Sequence, residues 1–319
     1  MSLLQANIPK ATRSLKSRKK SELGHHIRVF VAAAVAFLFV TAIGVYGASY
    51  YILPIDQRPY SDKHELLRPS GSIGLKLGVV GTVLFFIIFL YALRKVSPWL
   101  GRWGTARHWM DFHVIAGVTA PIVIAFHASF KFQGIAGFAF WIMLAVALSG
   151  IIGRYLYSQI PRSLGAAELS LAELQRGEQE LAEALLAQSV YSSEQLGRIL
   201  RVPSKEHIRS IGPLRAVGEM IVLDAGMPFR LAGLRRASGF TFRSIGGLLP
   251  TGDSEIEHIV RLVRQKASLS KRVVFLDQTQ RVFHLWHVIH RPFSYAFAIL
   301  AIIHIVVVMG LGFTSLGMR

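Results

Sequence analysis

Two apolar stretches of this chain begin and end with histidine. They are HVIAGVTAPIVIAFH, from His113 to His127, and HRPFSYAFAILAIIH, from His290 to His304. An imidazole inside a bilayer is costly unless it has a partner, so an ionisable residue there indicates a functional site. Imidazole ligates metals and carries protons. The repeated pattern therefore predicts metal ligation or proton transfer within a membrane.

The spacing places both histidines of each stretch on one face of a helix. An α-helix turns 100° per residue, so positions fourteen residues apart return to within about 40° of the same face and rise about 21 Å. Haem iron takes two axial ligands, which two neighbouring helices can supply. A compact metal site would instead place several ligands close together. The spacing favours two b-type haems, with a non-haem metal, a proton pathway or simple interhelical hydrogen bonds as alternatives.

The composition indicates a membrane protein. The 319 residues are 52% hydrophobic and only 17% charged, whereas a soluble domain carries about 25% charged residues. The net charge of +18 comes with basic loops beside apolar runs, which favours membrane orientation signals over nucleic-acid binding. There is no cysteine, which excludes c-type haem, cysteine-ligated clusters and disulfides in this chain.

We predict an all-α integral membrane protein with five spans and a mainly helical cytoplasmic insertion between spans four and five. Each of five runs has about the 20 apolar residues that a crossing needs. The predicted domains are a basic cytoplasmic segment (1–28), spans one to four (29–160), the insertion (161–282), and span five with a short outer tail (283–319). The spans cover about 29–53, 73–93, 108–130, 135–157 and 283–313.

Loop charges predict the orientation. The N-terminal segment and the loop between spans two and three are basic, so both are expected in the cytoplasm. Spans three and five then run in the same direction. We therefore expect an inner pair, His113 with His290, and an outer pair, His127 with His304, each at matching depth.

The insertion carries weaker signals. Residues 169–188 have leucines and alanines at helical spacing and predict an amphipathic helix, which could form a small core or dock a partner. Residues 230–249 are rich in glycine and arginine and are expected to form a loop. RVVFLD, at 272–277, has residues typical of a strand.

The paired histidines resemble those of the ferric-reductase-like transmembrane domain, a family that includes NADPH oxidases and ferric reductases. The C-terminal stretch WHVIHRPF with its apolar span also resembles bacterial diheme cytochrome b subunits. The resemblance covers roughly the apolar half of the chain. It implies that His113 and His290 ligate an inner haem b, and that His127 and His304 ligate an outer one.

The chain departs from the oxidase pattern. We find no sixth span and no flavin or nicotinamide domain. The stretches GSIGLKLG and SIGGLLPTG match no dinucleotide fingerprint in a strand–helix context. Self-contained oxidation of NADPH is therefore not expected.

Further polar residues surround the inner ends of spans three and five. Arg107 and Arg291 are candidate partners for anionic haem propionates, although loop charge explains them equally well. A quinone site would need a proton acceptor near a haem edge, for which His108, Asp111 and His287 are candidates. Interfacial side chains are also commonly solvated. For His25, His26, His64, His207 and His258 we expect surface positions.

The leading functional hypothesis is a diheme cytochrome b subunit in a bacterial inner membrane. It would carry electrons between a quinone or cytoplasmic donor and a separate redox protein, such as a multihaem cytochrome, an iron–sulfur protein or a flavoprotein. One alternative is a free-standing quinol-dependent reductase of ferric iron or oxygen. Another, of a different class, is a histidine-containing membrane transporter.

Overall fold

The computed structural model is mainly helical in the part of the chain that it describes. That part comprises residues 8–160, 175–176, 179–183, 185, 191–237, 246–250 and 253–312, with the backbone alone described for 8–22, 107 and 193. No β-strand occurs among these residues. The predicted all-α class is confirmed.

Five helices are long and apolar enough to cross a membrane within the described part of the chain. The α-helices of the described part include, in chain order, α1 (Ile8–Tyr51), α2 (His64–Leu67), α3 (Ser72–Val96), α4 (Pro98–Gly101), α5 (Ala106–His127), α6 (Gly134–Gln159), α7 (Ser193–Leu200), α8 (Lys205–Ser210), α9 (Pro213–Ala237) and α10 (Ser254–Gly310). Of the five that are long and apolar enough to cross a membrane, α3, α5 and α6 match predicted spans to within a few residues, and the five-span prediction is confirmed.

Helix α10 is much longer than a membrane crossing requires. Its 57 residues would extend about 86 Å, against about 30 Å for the hydrocarbon core of a bilayer. All of its buried residues lie between Ile256 and Val282, whereas the apolar C-terminal part is largely exposed within the protein. The N-terminal part of α10 thus packs in a protein core, and its C-terminal part has an apolar surface that suits lipid.

Two compact units divide the chain. The first comprises Met1–Ile151 and His290–Arg319, and the second comprises Ile152–Ile289. In the first unit, α5 packs against both α3 and α1. Gly81 permits the close approach of α3 and α5, because a Cβ at this position would lie 2.2 Å from Cδ1 of Ile124. A small residue at such a contact is typical of membrane helices.

A buried arginine holds the connection between α1 and α3. Arg58 is 5% exposed, and its guanidinium donates to the backbone carbonyls of Leu53 (3.0 Å) and Tyr51 (2.8 Å) and to that of Ser129. Ser129 follows the C-terminus of α5, where the last carbonyls lack helical partners and carry a partial negative charge. Arg58 therefore joins this connection to the end of α5.

The second unit has two apolar clusters. One is built around Leu231, Leu234 and Val263, with Tyr191 donating its hydroxyl to the carbonyl of Leu234. The other contains Leu156 and Phe275 among its fully buried members. These clusters give the second unit a hydrophobic core of its own.

One sequence prediction for the insertion is wrong, and a second is wrong in part. RVVFLD lies within α10, where Lys271, Phe275, Gln278 and Val282 are buried at intervals of three or four residues, which is helical rather than alternating spacing. Residues 230–237 belong to α9 rather than to a loop, whereas 246–249 form a turn followed by a bend, as predicted for a loop. The predicted amphipathic helix at 169–188 falls mainly outside the described residues, of which 175–176, 179–183 and 185 are helical.

Candidate functional site

His113 is held by a backbone carbonyl of the neighbouring helix. Its Nδ1 lies 3.0 Å from the carbonyl oxygen of Ile88 on α3. A carbonyl oxygen only accepts, so Nδ1 carries the proton and donates it. The ring of Tyr91 packs 5.2 Å from the imidazole. In its neutral form, His113 with Nδ1 protonated has a lone pair on Nε2, the atom that can ligate a metal.

His127 has the same arrangement one helix length away. Its Nδ1 lies 2.8 Å from the carbonyl oxygen of Gly74, also on α3. The ring packs directly over Gly78, where a Cβ would stand 2.8 Å from Cε1 of the imidazole. Only glycine leaves room for this ring position. In the neutral form His127, like His113, therefore carries its proton on Nδ1 and a lone pair on Nε2.

His290 is oriented by a hydroxyl group of α6. Its Nδ1 lies 2.8 Å from Oγ of Ser149, and the same hydroxyl donates to the carbonyl oxygen of Val146, also at 2.8 Å. A hydroxyl has a single proton, so Oγ accepts from Nδ1–H. The ring packs near Gly150, where a Cβ would lie 3.7 Å from Cε1. Nδ1 of a third histidine is thus held by an oxygen acceptor on a neighbouring helix.

His304 differs from the other three. It is exposed in the first unit, on the apolar part of α10, and its imidazole forms no hydrogen bond with a described residue. It is near enough to His127 for the two imidazoles to interact electrostatically. The two histidines of the predicted outer pair thus lie within electrostatic range of each other.

A lysine of α3 lies close to the residues predicted at the inner end. Lys95 is within electrostatic range of both His113 and Arg291. Its ammonium group also lies 4.7 Å from the centre of the Tyr91 ring. Arg291, the residue after His290, and His113 therefore lie within electrostatic range of the same lysine. The sequence did not predict this position of Lys95, because spacing along one helix does not show which other helices lie beside it.

Two residues proposed from the sequence are less informative. Arg107 lies in the first turn of α5, but its side chain is outside the described part. His287 donates Nδ1–H to the carbonyl of Phe283 in its own helix, at 3.1 Å. Its tautomer therefore also suits ligation, but its offset of seventeen residues from His304 places it about 100° from the face that His304 shares with His290.

The sequence did not predict a buried histidine–aspartate pair. His25 is 1% exposed, and its Nε2 lies 2.9 Å from Oδ2 of Asp111. The ring of His108 stacks on His25, with centroids 3.6 Å apart and planes 21° apart. The expected surface position of His25 is wrong because α1 packs against α5. His64 is half-buried and contacts the Tyr50 hydroxyl, whereas His26, His207 and His258 are exposed as expected.

The hydrogen bonds of the predicted ligands can be compared with those of metal-binding histidines. Histidines that ligate metals usually donate their other ring N–H to a carbonyl or similar acceptor, as three of the four do here. The described residues contain no group of three or more His, Cys, Asp or Glu side chains arranged to hold a metal ion. Haem does not require such a group, since the porphyrin supplies four ligands and the protein two.

Comparisons with known proteins yield no match. No protein-family model matches the chain, no curated protein does, and no solved structure does. Fold and site geometry therefore define the class of protein by themselves. It is an all-α protein whose described part has five helices of membrane-spanning length and apolarity.

Proposed function

We propose that the chain is a diheme b-type cytochrome that moves electrons across a membrane. One observation carries the proposal: His113, His127 and His290 each bind an oxygen acceptor of a neighbouring helix through Nδ1, as metal-ligating histidines commonly do. Each belongs to a histidine pair fourteen residues apart on one continuous helix. In this proposal His113 and His290 hold one haem, and His127 and His304 hold the other.

Haem with two imidazole ligands supplies one-electron transfer without an open coordination position. The chain's own residues hold and orient the ligands. The carbonyls of Ile88 and Gly74 fix two imidazole planes relative to α3, and Ser149 fixes that of His290. The apolar residues between the two histidines of each helix would keep water out of the region between the two haems. Lys95 and Arg291 are the cations placed to pair with propionates.

The proposal places the electron donor and acceptor outside the chain. Each haem would carry one electron at a time, so we propose a separate redox partner for this subunit. A quinol is the alternative donor. The group formed by buried His25 with half-buried Asp111 and His108 lies close in sequence to His113, and it is where a quinol proton would be accepted. Orientation with the N-terminus inside is part of the proposal.

The first experiment is a reduced-minus-oxidised spectrum with haem quantitation on the purified full chain. We expect two b-type haems per chain. Substitution His127→Ala should remove or perturb one haem and His290→Ala a different one. His26→Ala is the matched control, because His26 is exposed and outside both pairs. If both substitutions changed the same single haem, the pairing would be wrong.

The second experiment tests transfer across the membrane. Proteoliposomes containing trapped ferricyanide are exposed to an impermeant external reductant. Wild-type protein should reduce the trapped ferricyanide, and both His127→Ala and His290→Ala should stop that reduction. Equal rates with the variants would contradict the relay.

A second function, of another class, has one observation in its favour. The His25–Asp111 pair with stacked His108 provides adjacent titratable groups, which a proton-coupled transporter would use. Purified protein that showed no reduced b-type haem spectrum would favour this function over electron transfer.

A further inference from the structure

A cavity in the second unit has a basic lining. It has a volume of about 340 Å³ and lies between residues of α7, α9 and α10 and the segment after α7. That volume is at the lower end of the range of about 300–1,000 Å³ for small-molecule sites. Its apolar lining comprises Ile199, Val202, Leu223, Met227, Pro228 and Ala267. The cavity therefore offers an apolar surface of modest size.

The charged groups of the lining are unequal in number. Arg201, Arg230, Arg264 and Lys271 contribute four positive charges, and Asp224 is the single acid. That acid is already engaged: its Oδ2 accepts from Nζ of Lys271 at 2.6 Å and from the hydroxyl of Tyr155 at 2.7 Å. The pair of Asp224 and the buried Lys271 is neutral, so the three arginines remain as the net charge.

The arginines are positioned in different ways. Arg230 donates to the carbonyl of Leu223 at 2.6 Å and to that of Ile199 at 3.4 Å, which fixes its guanidinium in the wall. Two bonds leave further N–H groups available, since a guanidinium has five. Arg201 and Arg264 are exposed, and neither forms an ion pair with a described residue. Three guanidinium groups thus line one cavity without a carboxylate partner among the described residues.

We propose that this cavity binds the phosphate group of an organic phosphate whose apolar part lies on Leu223 and Met227. The planar guanidinium fork matches phosphate oxygens, and several forks around one site favour phosphate over a single carboxylate. The phosphate belongs either to an anionic lipid or to a soluble metabolite. The site involves none of the four histidines and does not rest on the haem proposal.

Binding is measured by isothermal titration calorimetry on the full chain in a neutral detergent. Three probes are compared: inorganic phosphate, dihexanoyl phosphatidic acid below its micellar concentration, and dihexanoyl phosphatidylcholine. Phosphatidic acid binding without inorganic phosphate binding indicates a lipid source, and binding of inorganic phosphate indicates a soluble one. Dihexanoyl phosphatidylcholine should bind only weakly and should not compete with phosphatidic acid. Failure of both phosphate probes to bind would overturn the proposal.

Variants tie any binding to this cavity. Arg264→Gln should weaken binding of the phosphate probe about tenfold, the effect of losing one charge-assisted hydrogen bond. Arg261→Gln is the matched control, because Arg261 is exposed on α10 one turn earlier and does not line the cavity. Arg201→Gln provides a second exposed variant that leaves the core unaltered. Equal binding by Arg264→Gln, Arg201→Gln and Arg261→Gln would place the anion elsewhere and contradict the proposal.

Discussion

The imidazole of His127 packs on Gly78 of α3 so closely that a single methyl group would collide with it. A Cβ at position 78 would stand 2.8 Å from Cε1 and 2.9 Å from Nδ1 of the ring, and Nδ1 donates to the carbonyl of Gly74 one turn earlier. Helix α3, which contributes no predicted ligand, thus sets the orientation of a histidine on α5.

Gly78→Ala is expected to displace the His127 ring. Its Nδ1 bond to Gly74 should weaken, and the haem of the outer pair should be lost or altered while the inner haem remains. Haem quantitation and the reduced spectrum measure this. Gly150→Ala is the matched control, because its Cβ would lie 3.7 Å from Cε1 of His290, an ordinary contact distance. Similar haem loss in both variants would contradict the steric explanation.

Lys95→Gln is expected to lower the midpoint potential of the inner haem. Removing a nearby positive charge disfavours the more negative, reduced state, with a shift on the order of 50 mV for a partly screened unit charge. Redox titration followed optically measures the shift. Lys131→Gln is the control, since Lys131 is exposed in the loop after α5, at the other end of that helix. An unchanged midpoint potential in Lys95→Gln would show that the charge of this lysine does not act on the inner haem.

Arg58→Met is expected to reduce stability by about 3 kcal/mol, because carbonyls of both the α1–α3 connection and the end of α5 lose a charged donor. Arg58→Lys should recover only part of this loss, since an ammonium group cannot reproduce the fork. Thermal unfolding in detergent measures both variants. Arg68→Met should change little, because Arg68 and its partner Glu65 have side chains 42% and 71% exposed.

Asp224→Asn should destabilise the second unit by about 2 kcal/mol, because Lys271 would remain buried without a charged partner. The loss is smaller than the about 3–5 kcal/mol typical of a fully buried pair, since the Asp224 side chain is 35% exposed. Denaturation monitored by circular dichroism measures it. The control is Asp277→Asn, whose pair with Arg209 is largely exposed. Equal stability of the two variants would show that the buried pair contributes nothing.

His25→Ala is expected to lower the melting temperature by several degrees, whereas His26→Ala should have little effect. His25 is fully buried and bonded to Asp111, and its removal leaves both a cavity and a buried carboxylate without that donor. His26, the next residue on the same helix, is exposed. Differential scanning fluorimetry of the two variants compares neighbouring histidines of which only His25 is buried and bonded to Asp111. Equal melting temperatures would mean that α1 does not depend on this contact.

Part of the candidate site follows from spacing within single helices. His113 and His127 share α5, and His290 and His304 share α10, as periodicity predicts, because a helix repeats its faces every 3.6 residues whatever it packs against. Which acceptor each Nδ1 finds does not follow from periodicity. Ile88, Gly74 and Ser149 are ordinary residues of other helices, and only their packing beside α5 and α10 makes them partners.

The amino-acid sequence by itself determined the helical class and the five membrane-length segments, because about twenty consecutive apolar residues must satisfy their backbone groups within a helix in lipid. Tertiary structure alone decided which polar side chains meet. It buried His25 against Asp111, gathered three arginines around one cavity, and placed Lys95 near both His113 and Arg291. These contacts join residues distant in the chain, and their distances depend on how helices pack, which local periodicity does not encode.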